Sequence, residues 1–155
     1  MSENLQVVHS ILAQWERGNF RSVEWAHARI EYTIVDEPGS QVGWGVAAMT
    51  RTWREFLTAW NDYRVEANEY RELDHGRVLV ALRPHGRGKA SGLDIGAAGS
   101  QRGSANVFHV RGGKVTRLFT YFDRDRALAD VGLSRGLANP TANRAASEAR
   151  ARLTA

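Results

Sequence analysis

RGGKVTRLFTYFD, residues Arg111 to Asp123, decides the fold, because it holds a glycine pair and the extended segment that follows it. Together with the alternating segment Ser104 to Arg111, it reads as a β-hairpin turning at Gly112-Gly113. Two registers are open. A two-residue loop places Asn106, Phe108 and Val110 on one face with Arg117 and Asp123. A three-residue loop ending in a bulge at Gly113 places them with Thr116, Leu118, Thr120 and Phe122, and collects His109, Arg117, Tyr121 and Asp123 opposite. The bulged register separates an uncharged face from a polar one and is the preferred reading. It puts Asn106, Phe108, Leu118, Thr120 and Phe122 together on the uncharged face of the hairpin.

Working outward, Tyr63 to Leu73 and Arg77 to Ser91 read as two more long strands, separated by Asp74-His75-Gly76. A glycine-rich loop, GLDIGAAGSQRG, joins them to the hairpin. The N-terminal third is helical in character. Leu5, Val8, Leu12 and Trp15 recur at helical spacing before Gly18, and Asn19 is placed to cap a short second helix through Trp25. Arg29 to Val35 alternates as a strand and stops at Asp36-Glu37-Pro38. Val46, Met49, Trp53, Phe56 and Trp60 give a third, amphipathic helix. Asp125 opens a last short helix ending near Gly132. Helices first and an antiparallel meander afterwards predict an α+β domain whose helices cover one face of a curved sheet.

The 155 residues, 43% of them hydrophobic, suit one domain over 1–133 followed by an Ala/Arg-rich tail over 134–155 that is flexible or marginally helical. Arg135, Arg144, Arg150 and Arg152 against Glu148 give that tail +3 of the net +4, which leaves nucleic-acid binding a weak reading. No apolar run long enough to span a bilayer and no signal-peptide pattern are present, so a cytoplasmic protein without membrane partners is expected. Cysteine is absent and the five histidines fall in no ligand spacing, so no metal is expected either. The basic stretch RPHGRGK, Arg83 to Lys89, could attract an anion, but it matches no phosphate-binding loop and reads as a solvated edge.

WERGN at the end of the first helix, VDEPG at the strand exit, the tryptophan-rich helix and the closing RGGKVTRLFTYFD together resemble the nuclear-transport-factor-2-like superfamily, in its SnoaL-like branch. That branch is related to polyketide cyclases, ketosteroid isomerase and limonene epoxide hydrolase, and the resemblance covers about Leu5 to Gly132. It implies a cystatin-like cone, in which a curved antiparallel sheet packs around three N-terminal helices and leaves a deep apolar pocket. The aromatic residues Trp15, Tyr32, Trp44, Trp53 and Phe56 would line it beside the hairpin residues.

The resemblance also implies roles. Glu37 stands where the isomerase branch carries its aspartate base, just before the matching proline; Pro38 biases it toward an extended backbone, and apolar surroundings would raise its proton affinity. The alternative is a solvated turn. Asn106 stands where that branch places a protonated aspartic acid, and its amide could donate to an oxyanion. The isomerase tyrosine of the first helix is replaced by Ile11, which Tyr32 could offset. Epoxide hydrolysis is rejected, because Arg77 is followed by Leu79 and matched by Thr120 where two acids are needed. Asp123 matches the polyketide-cyclase acid/base, with His109 as a partner, or else it simply caps the last helix. The expected activity is a cofactor-free isomerisation or aldol-type cyclisation of a small apolar carbonyl compound. The competing expectation is a noncatalytic binding or dimerisation module, a homodimer pairing through the sheet face at His109, Arg117 and Tyr121.

Overall fold

A computed structural model describes residues 1–35, 41–92 and 103–133. Asp36, Glu37, residues 93–102 of the glycine-rich loop and the tail from residue 134 lie outside the described residues.

Helix α1, Glu3–Glu16, starts at Ser2, whose hydroxyl accepts from the Leu5 amide at 3.1 Å. It ends where Gly18 takes φ +79 and the Asn19 amide donates back to the Gln14 carbonyl at 2.9 Å, a Schellman closure that needs glycine's left-handed backbone. The helix expected from Asn19 to Trp25 does not form. The Asn19 side chain accepts from the Arg21 amide at 3.1 Å, and this local bond closes a turn in place of a helical one. Two helices therefore precede the long strands, not three.

The chain continues through β1 (Ala26–Val35), β2 (Gln41–Trp44), α2 (Val46–Leu57), β3 (Trp60–Glu72), β4 (Arg77–Gly88), β5 (Ser104–Arg111), β6 (Lys114–Tyr121) and α3 (Arg124–Asp130). Trp60, expected at the end of the amphipathic helix, instead opens β3. The six strands form one curved sheet in the order β2-β1-β6-β5-β4-β3. Its pairs are antiparallel except β1 with β6, which run parallel, a departure from the all-antiparallel expectation.

The β5–β6 hairpin combines both sequence readings. Gly112 and Gly113 have φ +58 and +76 and form a two-residue turn, with Arg111 opposite Lys114. The register then shifts between His109 and Val110, so the extra residue sits at Thr116 rather than at Gly113. Beyond it Phe108 faces Leu118 and Asn106 faces Thr120. The uncharged grouping therefore holds, through a bulge in a different place.

Alternation along the strands makes two cores. The inner face packs Ile30, Tyr32, Val78, Val80, Phe108 and Leu118 against Val8, Ile11, Leu12 and Trp15 of α1 and Met49 of α2. The outer face packs Leu79, Val107 and Tyr121 under Ala127 and Leu128 of α3. Tyr121 is thereby removed from the expected pairing surface: it is buried, and its hydroxyl donates to the Asp130 carboxylate at 3.0 Å.

Candidate functional site

The inner core is incomplete at one end. Between α1, α2 and the strand ends lies a cavity of about 450 Å³, within the size range of small-molecule sites. Four helix and loop aromatics, Trp15, Phe20, Trp53 and Phe56, make one side, and Ile34, Val65, Leu82 and Pro84 make much of the other. Trp53 meets Trp15 and Phe20 edge-to-face, at 5.2 and 6.3 Å between centroids, while Trp15 and Phe20 stack at 5.9 Å. Such walls favour a flat apolar guest.

Polar side chains also lie on the sheet wall, Tyr63 and Ser104 among them, and three are neighbours. Tyr32, Asn106 and Thr120 all line the cavity, and the pairings Asn106 with Thr120 and Thr120 with Ile34 bring them together across three adjacent strands. The Thr120 hydroxyl donates to the Tyr32 hydroxyl oxygen at a long 3.5 Å. Asn106 is 5% exposed; the buried side-chain atoms without a hydrogen-bond partner among the described residues are Gln14 Oε1 and Trp15 Nε1, and Trp15 lines the same cavity. A buried donor without a partner, such as the Trp15 indole N–H, is rare in proteins, and a ligand acceptor atom in the cavity is its natural complement.

Burial pushes the Tyr32 phenol from 10.0 up to about 12, against the opposing effect of hydrogen bonds from Thr120 and the Trp53 indole. Tyr32 is therefore a neutral donor at any ordinary pH. Because an unfolded phenol titrates lower, its contribution to stability is complete below pH 10.0 and is lost as pH rises through about 12. Unfolding titrations should show stability falling across that window, with a shallower fall in Tyr32→Phe. The slope will not vanish in that variant, since burial also raises Tyr63 and Tyr70.

Among the expected lining residues, Trp15, Tyr32, Trp53, Phe56, Thr120 and Phe122 stand on the wall, Phe122 at the mouth, 45% exposed and stacked on Phe56 at 6.1 Å. Phe108 and Leu118 point to the same face but are fully buried in the core and do not reach the wall. Trp44 is a correction. It is paired with Glu31, whose carboxylate meets Arg117 at 3.1 Å on the outer face, so the pleat sends the indole outward and leaves it 67% exposed. Asp123 is the N-cap of α3, accepting from the Asp125 amide at 3.0 Å, and it does not line the cavity. His109 is likewise off the cavity, on the other face, where burial and the nearby Arg117 and Arg77 hold it below the usual imidazole range. Glu37 lies outside the described residues, and among the described residues no carboxylate lines the cavity.

Several wall residues were not anticipated. Val65, Leu82 and Pro84 sit on inner-facing positions of β3 and β4, which strand alternation alone could have marked. Phe20 comes from the turn that replaces the expected second helix and carried no periodic signal.

No family model matches the sequence, and no curated protein matches it. Solved structures do. An NTF2-like protein of unknown function from Burkholderia pseudomallei is similar with a TM-score of 0.65 at 15% identity, covering 85% of this chain and 99% of that one. A protein with a ketosteroid isomerase-like fold from Catenulispora acidiphila, solved in complex with trimethylamine, is similar with a TM-score of 0.59 at 14% identity, covering 83% and 93%. TerC co-crystallised with polyporic acid is similar with a TM-score of 0.59 at 19% identity, covering 84% and 98%. The chain therefore has the NTF2-like fold.

Proposed function

We propose that the cavity binds a small, flat, largely apolar carbonyl compound, and that the protein moves a proton on it as a cofactor-free isomerase or aldol-type cyclase. The observation that carries this reading is a cavity whose wall sets the Asn106 carboxamide, 5% exposed, beside the neutral Tyr32 hydroxyl, with the Trp15 indole N–H, buried and without a hydrogen-bond partner among the described residues, on another side. Two neutral donors in a largely apolar wall stabilise a developing enolate oxygen without a metal or a shifted carboxylic acid. Glu37 is the proposed base because it stands just before Pro38, where the resemblance puts the isomerase base; the alternation that turns Ile34 to the cavity and Val35 to the outer core would by itself favour Asp36, which is therefore the competing candidate. A ketosteroid isomerase-like fold and a protein crystallised with polyporic acid among the structural neighbours agree with such a guest.

The test is deuterium exchange at the α-carbons of 2-tetralone in heavy water, followed by proton NMR. Wild-type protein should accelerate exchange, and Asn106→Leu should lower the acceleration about 10²-fold while tetralone binding weakens far less, the signature of a group that acts on the transition state. Binding with no accelerated exchange in the wild type would instead favour a noncatalytic binding module for this compound class. The absence of any carboxylate from the described wall is the observation on that side.

A further inference from the structure

Next to the cavity lies a second hollow, an open cleft of about 1130 Å³. The two meet along shared walls, since Phe20, Trp53, Leu57, Trp60 and Tyr63 line both. Their chemistry is opposite. Arg17 and Arg21 after α1, Arg54 on α2, Arg64 on β3, Arg87 on β4 and Lys89 just after it surround the cleft, and Asp62 is the one carboxylate among its described walls. None of the six cations makes an ion pair with an acid among the described residues; the nearby Glu66 is engaged by His85 at 3.1 Å. The shape of the cleft comes from a bulge: β3 shifts register between Asn61 and Arg64, with Asp62 in the left-handed region at φ +53. Opposite it, Gly86 comes so near that a Cβ there would stand 3.3 Å from the Tyr63 Cα.

Like charges drawn from four separate segments into one concavity repel one another, and an anion relieves that repulsion. We propose that this cleft holds the anionic head group, a carboxylate, sulfonate or phosphate, of an amphipathic ligand whose flat apolar body occupies the cavity. The inference rests on the reading of the cavity as a ligand site and adds the charge of its ligand. The natural compound would then be a carbonyl-bearing acid or phosphate ester rather than a neutral ketone. Tetralone reports only on the apolar half of the site.

A matched pair of fluorescent probes separates the two claims. 8-Anilinonaphthalene-1-sulfonate is anionic, and N-phenyl-1-naphthylamine is the same molecule without its sulfonate. The sulfonate should bind at least about tenfold more tightly at low salt, and this advantage should shrink as sodium chloride is raised while the neutral probe is unaffected. The double variant Arg54→Gln/Arg87→Gln should lose most of the advantage and keep its affinity for the neutral probe, which also shows that it is folded. Thr120→Trp, filling the cavity, should lose both probes. Equal, salt-insensitive binding of the two probes overturns the head-group proposal and leaves the cavity reading standing. Sulfonate binding that survives the double variant, or survives Thr120→Trp, also overturns it. If the wild type binds neither probe, the cavity reading itself falls and takes this inference with it.

Discussion

Replacing Phe108 by alanine should destabilise the protein by about 3–5 kcal/mol, the largest loss expected from any single core truncation here. Phe108 is fully buried at the centre of β5. On one side it is paired with Val78 and on the other with Leu118, both of which are also fully buried, so the three form one unbroken row across the inner face. Above that row the Phe108 ring meets Trp15 of α1 at 5.8 Å between centroids. Trp15 in turn touches Phe20, Trp25 and Trp53. The ring is thus the point at which the sheet grips the aromatic cluster that roofs the cavity. Alanine leaves a void that the rigid ladder on either side cannot close, so both the transfer and the cavity contributions are lost. Urea unfolding should show a lower midpoint with an unchanged slope. Phe119, half-buried at the margin of the outer core, gives the comparison: its truncation should cost much less, about 1 kcal/mol. Equal losses at the two positions would mean that the inner row does not dominate the stability of the sheet.

The same row explains what could be read from the sequence. Strands β3, β4, β5 and β6 were legible because long alternation over more than one hairpin leaves a single consistent assignment of faces, and Asn106 and Thr120 were legible with them. The position of the hairpin bulge was not. A bulge at Gly113 and one at Thr116 give the same faces from Leu118 onward, and no side-chain pattern distinguishes them. Strand β2 has four residues, too few for a period, and Trp44 was assigned to the pocket by its size when the pairing with Glu31 sends it outward. The turn after Asn19 is illegible for a related reason: a capping residue is also a turn former, and nothing local shows which of the two wins. The cationic cleft is legible only in part: Arg87 and Lys89 lie in the stretch Arg83 to Lys89 that could attract an anion, and the other four cations give no such sign. Its charges stand at positions 17, 21, 54, 64, 87 and 89, where acids interleave with them along the chain, and only the fold gathers the cations and leaves most of the acids elsewhere.

The largest functional effect is expected at the acid pair that follows β1. Glu37→Gln should slow α-proton exchange on tetralone by about 10²–10⁴-fold, the range associated with removal of a positioned general base. Glutamine keeps the length and hydrogen bonding of glutamate and removes only its ability to take a proton. Binding of the neutral naphthylamine probe should therefore be unchanged. Asp36→Asn is the necessary partner experiment, because the two acids are adjacent and successive residues of an extended chain point to opposite sides. The proposal assigns the chemistry to Glu37, the residue just before Pro38 in the sequence, so Asp36→Asn should leave exchange within about threefold of wild type. The pH profile adds a readout that a structural role would not produce: the wild-type rate should climb as the base loses its proton and then level off, and Glu37→Gln should abolish that limb. If Asp36→Asn removes activity and Glu37→Gln does not, the base is the neighbouring acid and the enolate-stabilising role of Asn106 is untouched. If both variants keep full activity, no acid at this strand exit takes the proton, and the catalytic half of the proposal fails while the cavity remains a binding site.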